Sequence, residues 1–452
     1  MSPTSVSRRS FLKTTALAMP FIATGCAHWG TGSRQGSEFV CVRDGRFQLR
    51  GRPYGYVGAN LWYGCYLSDA ALPGGRARLV RELDRLRNIG ADNIRLLAGS
   101  ETSPLVGAIP RGITRAPQDD DEALLAGLDF CLAEMAKRDQ RAILFLSNYW
   151  QWSGSFAQYV RWITGETIPD PDQPVMAAGD WHAFMQFSAR FYRTPAAVEL
   201  YRGFAARLIA RRNTVNGRIY RDDPTIMTWE LANEPRPGAD DKTADKDVPI
   251  FCEWVDATAR FIHAQDPNHL VCTGSEGIQG SLGKPECFIA AHQTSAIDYV
   301  TVHMWLKNWG WLKESRLGAE FEVAAGRARD HVEQHTRIAT DILRKPLVLE
   351  EFGLPRDHES YAPGSGTSAR DEYYRRMFAQ VAESCQAGRA LQAANFWAWG
   401  GEGRAEATRN SAGAYLGDPP CEPQGLNSVF DTDTSTLAVI AAANKKLSAL
   451  VG

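Results

Sequence analysis

A chain of 452 residues and 49.9 kDa has room for one large single-core domain or two to three ordinary ones. Its 44% hydrophobic and 23% charged content excludes wholesale disorder, collagen-like repeats and a disulfide knot. Fifty basic against 52 acidic residues leave a net charge of −2, without the basic excess of a dedicated nucleic-acid binder.

In chain order, the first 26 residues read as an export signal. Arg8-Arg9-Ser10-Phe11-Leu12-Lys13 precedes an apolar run from Ala16 to Ala23, far shorter than the ~20 residues that span a bilayer. A positive start, a short apolar stretch and small residues before a cut site make a secretory leader. The Arg pair resembles a twin-arginine signal, and Ala23-Thr24-Gly25-Cys26 resembles a bacterial lipobox, with Ala23 where Leu is usual. Such a leader leads either to a lipid anchor at Cys26 or to ordinary cleavage and release. The expected location is periplasmic or membrane-anchored, otherwise secreted. Residues 27–37 are small and polar, as a tether would be, and 38–452 is expected to form one folded domain. Cysteines beyond Cys26 show no CxxC spacing, and Cys131 and Cys272 read as buried thiols. His331 and His335 have i, i+4 spacing on a predicted helix, but the segment is His-Val-Glu-Gln-His rather than HExxH. No metal and no cofactor are expected.

Alternation around Asp44-Gly45 predicts a β-hairpin. Eight short apolar runs follow, at 56–60, 93–97, 142–148, 226–233, 270–274, 299–303, 347–351 and 393–398. They are near-continuously apolar, as parallel strands buried on both faces are. Amphipathic helical patterns lie between them, for example Leu79, Leu83, Leu86 and Ile89, or Tyr374, Met377, Phe378 and Val381. Eight β-α units predict a (β/α)8 TIM barrel with an N-terminal β-hairpin and long βα loops at roughly 149–197, 304–330 and 399–433. A doubly wound open sheet competes, but Gly58-Ala59-Asn60-Leu61-Trp62 lacks the phosphate-binding turn of that fold.

Two glutamates at strand ends carry the expected chemistry. The fourth strand ends Trp229-Glu230-Leu231-Ala232-Asn233-Glu234-Pro235, and the seventh ends Leu349-Glu350-Glu351-Phe352-Gly353. Glycoside hydrolysis needs two carboxylates at one barrel mouth, ~5 Å apart in retaining enzymes. Strand alternation predicts that Glu350 and Glu351 point to opposite sides, and likewise Asn233 and Glu234.

Asn233-Glu234-Pro235 and Glu351-Phe352-Gly353 resemble the signature of glycoside hydrolase family 5. Gly58–Trp62, Asn93-Ile94-Arg95-Leu96, His303 and Asn395-Phe396-Trp397 resemble further strands of that family, in family order from about 40 to 435. The resemblance implies Glu234 as acid/base and Glu351 as nucleophile of a retaining hydrolase. It implies substrate contacts or site roles for Arg95, Asn233, His303, Trp305, Trp397, Asn148 and Trp62. Trp305 stands where many members have Tyr. Asn148-Tyr149-Trp150 and Glu422–Asp431 look most like the β-1,4-mannan-acting branch, subfamily 7, in which both endo-mannanases and exo-acting β-mannosidases occur. The 400–433 insertion is long enough to wall off one end of a cleft, which favours short manno-oligosaccharides or exo attack. A β-1,4-glucan hydrolase on the same fold and a non-catalytic sugar-binding lipoprotein are the alternatives. Glu234 is expected to have the higher pKa of the pair, with Arg95 holding Glu351 ionised.

Overall fold

In the computed structural model of the protein, the described residues are 38–172, 180–362, 364–404 and 415–451; the leader, the tether and Cys26 lie outside them. Eight parallel strands form one sheet: β1 (Tyr56–Asn60), β2 (Asn93–Leu97), β3 (Arg141–Phe145), β4 (Ile226–Glu230), β5 (Leu270–Cys272), β6 (Val300–Met304), β7 (Leu347–Phe352) and β8 (Leu391–Phe396). All eight are buried along their length, so the apolar runs predict them, although the third, fourth, fifth and eighth runs extend past the strands into the turns that follow. The strand order is β5-β4-β3-β2-β1-β8-β7-β6. The last seam is bridged by single hydrogen bonds: Asp298 N donates to Val271 O at 2.9 Å, and His303 N to Glu276 O at 3.3 Å.

Each strand is followed by a helix on the outside: α1 (Gly75–Asn88), α2 (Glu122–Lys137), α3 (Pro195–Ile209), α4 (Val248–Gln265), α5 (Pro285–His292), α6 (Ala319–Arg337), α7 (Ser368–Gln386) and α8 (Thr434–Val451). Their apolar stripes face the sheet: Leu79, Leu83 and Leu86 of α1 and Met377, Phe378 and Val381 of α7 are buried. This is the (β/α)8 arrangement, in which the chemistry sits at the C-terminal ends of the strands.

The N-terminal end of the barrel is stoppered by the predicted hairpin, Cys41–Arg43 with Arg46–Leu49. Its two turn residues, Asp44 and Gly45, have φ of 51° and 70°, the double left-handed turn that suits the twist of paired strands. Phe47 packs edge-on against Tyr299 at 5.2 Å, in a cluster with Val40, Tyr56, Met227 and Val348.

Two of the long connections are more ordered than expected. Residues 149–197 contain helices Ser155–Thr164 and Trp181–Ala189. Phe156 stacks on Phe191 at 4.2 Å and meets Trp254 of α4 edge-on at 5.4 Å, so an aromatic cluster shared with α4 anchors the first of these helices. Helix α6 already begins at Ala319, inside the second expected loop. In the third connection, Trp399–Gly401 pairs with Val429–Phe430 in parallel.

His331 and His335 do not form a metal site. The two nitrogens of His335 bond the Ile278 N–H (2.8 Å) and the His331 carbonyl (2.8 Å). Burial pushes both imidazoles down, to about 4 for His331 and about 3 for His335. The eight cysteines among the described residues are free thiols, with Cys131 and Cys272 buried.

Candidate active site

At the C-terminal ends of the strands a cavity of about 490 Å³ is lined by Trp150, Trp152, Trp181, Asn233, Glu234, Arg236, Glu276, Trp305, Trp309, Glu351 and Trp397, with Pro419, Cys421 and Glu422 on one side. Both predicted carboxylates are on its wall. One oxygen of each and the nearer nitrogen of His303 lie within 4.8 Å of one another, closer than the roughly 6.5 Å or more of an inverting pair.

Backbone irregularities put them there. Glu234 lies four residues past the end of β4 with φ at 51°, a left-handed conformation that costs a non-glycine residue on the order of 1 kcal/mol. Strand alternation has ended by that point, so Asn233 and Glu234 both reach the cavity instead of pointing apart. In β7 the register slips by one: Val302 pairs with Leu349, but His303 pairs with Glu351. Glu350 is the extra residue of this bulge. Contrary to the expectation from alternation, the carboxylates of Glu350 and Glu351 both approach His303, at 3.5 Å from Nε2 and 3.3 Å from Nδ1.

Beneath the carboxylates Arg95 is fully buried and uses its whole guanidinium. It grips Glu230 with Nε and Nη2 (2.9 and 2.6 Å), donates to Asn60 Oδ1 (3.0 Å) and Asn233 Oδ1 (2.8 Å), and pairs with Glu351. Its guanidinium lies 4.7 Å from the Phe145 ring centre. His303 Nδ1 lies 2.6 Å from Glu234 Oε1, and the indole N–H of Trp150 donates to Glu234 Oε2.

The electrostatics correct one expectation. Burial works to raise the Glu234 carboxyl, but the hydrogen bond and charge of His303, the Arg236 cation and the Trp150 N–H outweigh it and hold Glu234 below the ordinary carboxylate range. Burial pushes Glu351 up to about 7, against the lowering pull of His303 and Arg95 and with the added repulsion of Glu234. In the free site Glu351 is therefore the higher of the pair. Burial also acts against a charged His303, but Glu351, Glu234 and Glu350 overcome it and raise the ring to about 10. The mobile proton resides on His303, one hydrogen bond from Glu234. Three ligand-type groups this close could bridge a divalent ion. Here the Arg95 guanidinium already fills the place of a cation beside Glu351.

The other predicted site residues divide into wall and support. Trp305 and Trp397 line the cavity edge to face, 6.1 Å apart. Arg95, His303 and Asn148 are not on the wall but directly behind it. Asn148 Oδ1 accepts from Asn233 Nδ2 (3.1 Å) and from the backbone N–H of Trp150 (3.0 Å). Trp62 is not at the cavity: it is buried against Trp152 at 5.7 Å, and its indole N–H is used on the Gly417 carbonyl at 3.0 Å. An apolar aromatic next to a strand end fills the gap between barrel and loop as readily as it holds a sugar.

Sequence reasoning misses the roles of four contributors. Trp150 is marked in the sequence only by its place after Asn148, and nothing there points to its N–H as a partner of Glu234. Arg236 lies 4.8 Å over the Trp150 ring and pairs with Glu276, to which the Trp309 N–H also donates at 3.1 Å. Glu276, four residues beyond β5, is findable as another acid following a strand end.

Comparison with known proteins agrees with this geometry. A family model described as GH family 5 β-mannosidase-like matches residues 37–451. Mannan endo-1,4-β-mannosidase 1 of Oryza sativa subsp. japonica is 29% identical over 377 residues, covering 80% of this chain and 78% of that one. The crystal structure of a glycoside hydrolase family 5 mannosidase from Rhizomucor miehei superposes with a TM-score of 0.82 at 35% identity, covering 93% of this chain and 99% of the other. A mutant of that protein in complex with mannosyl-fructose superposes equally well, at 0.82 and 35%, covering 91% and 98%. With two carboxylates converging on one imidazole at the mouth of a (β/α)8 barrel, and with a family model matching from residue 37 to 451, the chain belongs to glycoside hydrolase family 5, among its β-mannosidase-like members.

Proposed function

We propose that the protein hydrolyses β-1,4-mannosidic bonds with net retention, acting on short manno-oligosaccharides from one end. The observation that carries the reaction type is the shared contact of Glu234 and Glu351 with His303 Nδ1, at 2.6 and 3.3 Å. It leaves room for one anomeric carbon between the two acids.

In the first half-reaction a Glu351 oxygen attacks the anomeric carbon as the glycosidic C–O bond breaks. The bonding pair leaves with the departing oxygen, which takes a proton from Glu234. Glu234 draws that proton from His303 Nδ1. Glu351 is now an uncharged ester, and the imidazole is neutral. In the second half-reaction water attacks the anomeric carbon, its proton passes through Glu234 back to His303, and Glu351 departs as carboxylate. Arg95 steadies the Glu351 charge at the start and end of the cycle. Asn233, fixed by Arg95 and Asn148, keeps one amide N–H for the sugar.

The exo reading is supported by the wall that Pro419, Cys421 and Glu422 raise along one side of the cavity, and by the likeness to the Rhizomucor mannosidase. The tryptophan faces suit the apolar C–H faces of a pyranose. Product analysis on mannohexaose tests the mode. Mannose as the first product is expected; an early ladder of mid-length products would replace the exo reading with an endo one. We also propose export and lipidation at Cys26, on the strength of the leader alone. Mass spectrometry of the mature N-terminus checks this: a diacylglyceryl cysteine is expected, and an unmodified cleaved end would refute it.

A further inference from the structure

We infer that Glu101, a buried acid outside the catalytic cavity, is a positioning residue for the acid/base, acting through the loop that carries Asn148 and Trp150. This rests on the reading of Glu234 as the acid/base. Glu101 is fully buried and clasps the loop at both ends. One carboxyl oxygen meets the Ser147 hydroxyl at 3.0 Å, just before Asn148, and the other accepts the Ser155 N–H at 3.0 Å, just after Gly154. Its own N–H donates to the Ser153 carbonyl at 2.8 Å.

The loop is built to accept this clasp. Gly154 has φ of 100° and Ser155 of 79°, and a Cβ at Gly154 would stand 2.1 Å from the Glu101 carbonyl oxygen. The turn is pressed onto Glu101 so closely that only glycine fits. Between the clasped ends, Asn148 ties the turn internally by donating to Ser153 Oγ (3.0 Å) and accepting from Trp150 N. The Trp150 indole then reaches Glu234. Glu101 thus fixes, two bonds removed, the donor that holds the catalytic carboxylate in place. Burial pushes its carboxyl up to about 8, opposed by hydrogen bonds from the loop. As a neutral acid it would donate to Ser147 Oγ and accept from Ser155 N, a pattern that glutamine can copy and a hydrocarbon cannot.

The test compares Glu101→Leu with Glu101→Gln on two substrates. Mannobiose needs its leaving oxygen protonated, whereas 2,4-dinitrophenyl β-mannoside does not. In kcat/KM, which with these substrates reports the first half-reaction, a displaced acid/base harms chiefly mannobiose, so general-acid loss separates from general misfolding. We expect E101L to lose about tenfold or more in kcat/KM on mannobiose, with a several-fold smaller loss on the aryl mannoside, and E101Q to restore most of the difference. In a Trp150→Phe background, E101L should cost little more. Equal loss on both substrates, or full additivity with W150F, would overturn the inference. If E101L does not fold, Ser147→Ala removes one strut of the clasp and carries the same comparison: a loss confined to mannobiose supports the inference, and an equal loss on both substrates overturns it. Glu234→Ala on mannobiose is the separate control: if it keeps its rate, the acid/base reading itself fails, whatever Glu101 does.

Discussion

His303 Nδ1 stands 2.6 Å from Glu234 Oε1, and this contact makes the imidazole the proton store of the site. The consequence is a pH profile with defined limbs. Glu351 must be ionised to attack, so activity should rise as pH climbs through about 7. The proton destined for the leaving oxygen is lost as His303 deprotonates, so activity should fall as pH rises through about 10. In His303→Gln the alkaline limb should move to lower pH while the fold is kept. The kcat/KM profile of both proteins on mannobiose decides this; an unmoved alkaline limb would remove His303 from the proton path.

Removing the Trp150 N–H takes one hydrogen-bond donor from a buried anion, which costs about 1.5–3 kcal/mol. Trp150→Phe should lower kcat on mannobiose by about 10- to 100-fold, with near-native circular dichroism. A rate within twofold of the unmutated protein would show that the indole only fills space.

Arg95→Lys keeps the charge but loses the planar fork that serves Glu230, Asn60, Asn233 and Glu351 together. Arg95→Met leaves buried carboxylates without a counter-charge, a change that destabilises by about 3–5 kcal/mol. Urea melts should rank the proteins native, Lys, Met in falling stability. Activity should be nearly abolished in both variants.

Gly154→Ala forces a side chain onto the Glu101 carbonyl at a φ of 100°. Destabilisation by more than about 1 kcal/mol is expected, read as a lower urea midpoint with an unchanged slope. A neutral result would mean that the turn relaxes freely.

Substitution of the two acids gives the broadest check. Glu351→Ala should abolish turnover. Glu234→Ala should lose on the order of 10²–10⁴ on mannobiose and regain rate on an activated aryl mannoside when azide is added, forming the β-mannosyl azide. Turnover by Glu351→Ala on any mannoside would displace it as nucleophile.

The barrel is legible because its signal is periodic and repeated: eight apolar runs and the stripes of helices such as α1 and α7 are set by burial alone. Glu234 and Glu351 are legible through short motifs at strand ends. What stays hidden depends on places where the backbone leaves its regular pattern. Alternation separates Glu350 from Glu351 and Asn233 from Glu234, and a bulge and a left-handed residue bring each pair together instead. The pKa order is hidden because it is set by His303 Nδ1 and the Trp150 N–H, whose partners are chosen in three dimensions. Trp62 looks like a sugar platform by position, yet its N–H is committed to Gly417. Glu101 gives no signal at all, since a lone acid near the end of β2 is compatible with an exposed loop.

The single unmatched residue in β7 has a further consequence. A sheet with perfect alternation of its pleats would present one acid of the Glu350–Glu351 pair inward and bury the other among the helices. Pairing β7 without the slip, so that His303 faced Glu350, would turn the attacking carboxylate outward with every side chain of the mouth left chemically intact. The reaction therefore hangs on a counting irregularity in the backbone as much as on the identity of any side chain, and an idealised redesign of this sheet would fold well and do nothing.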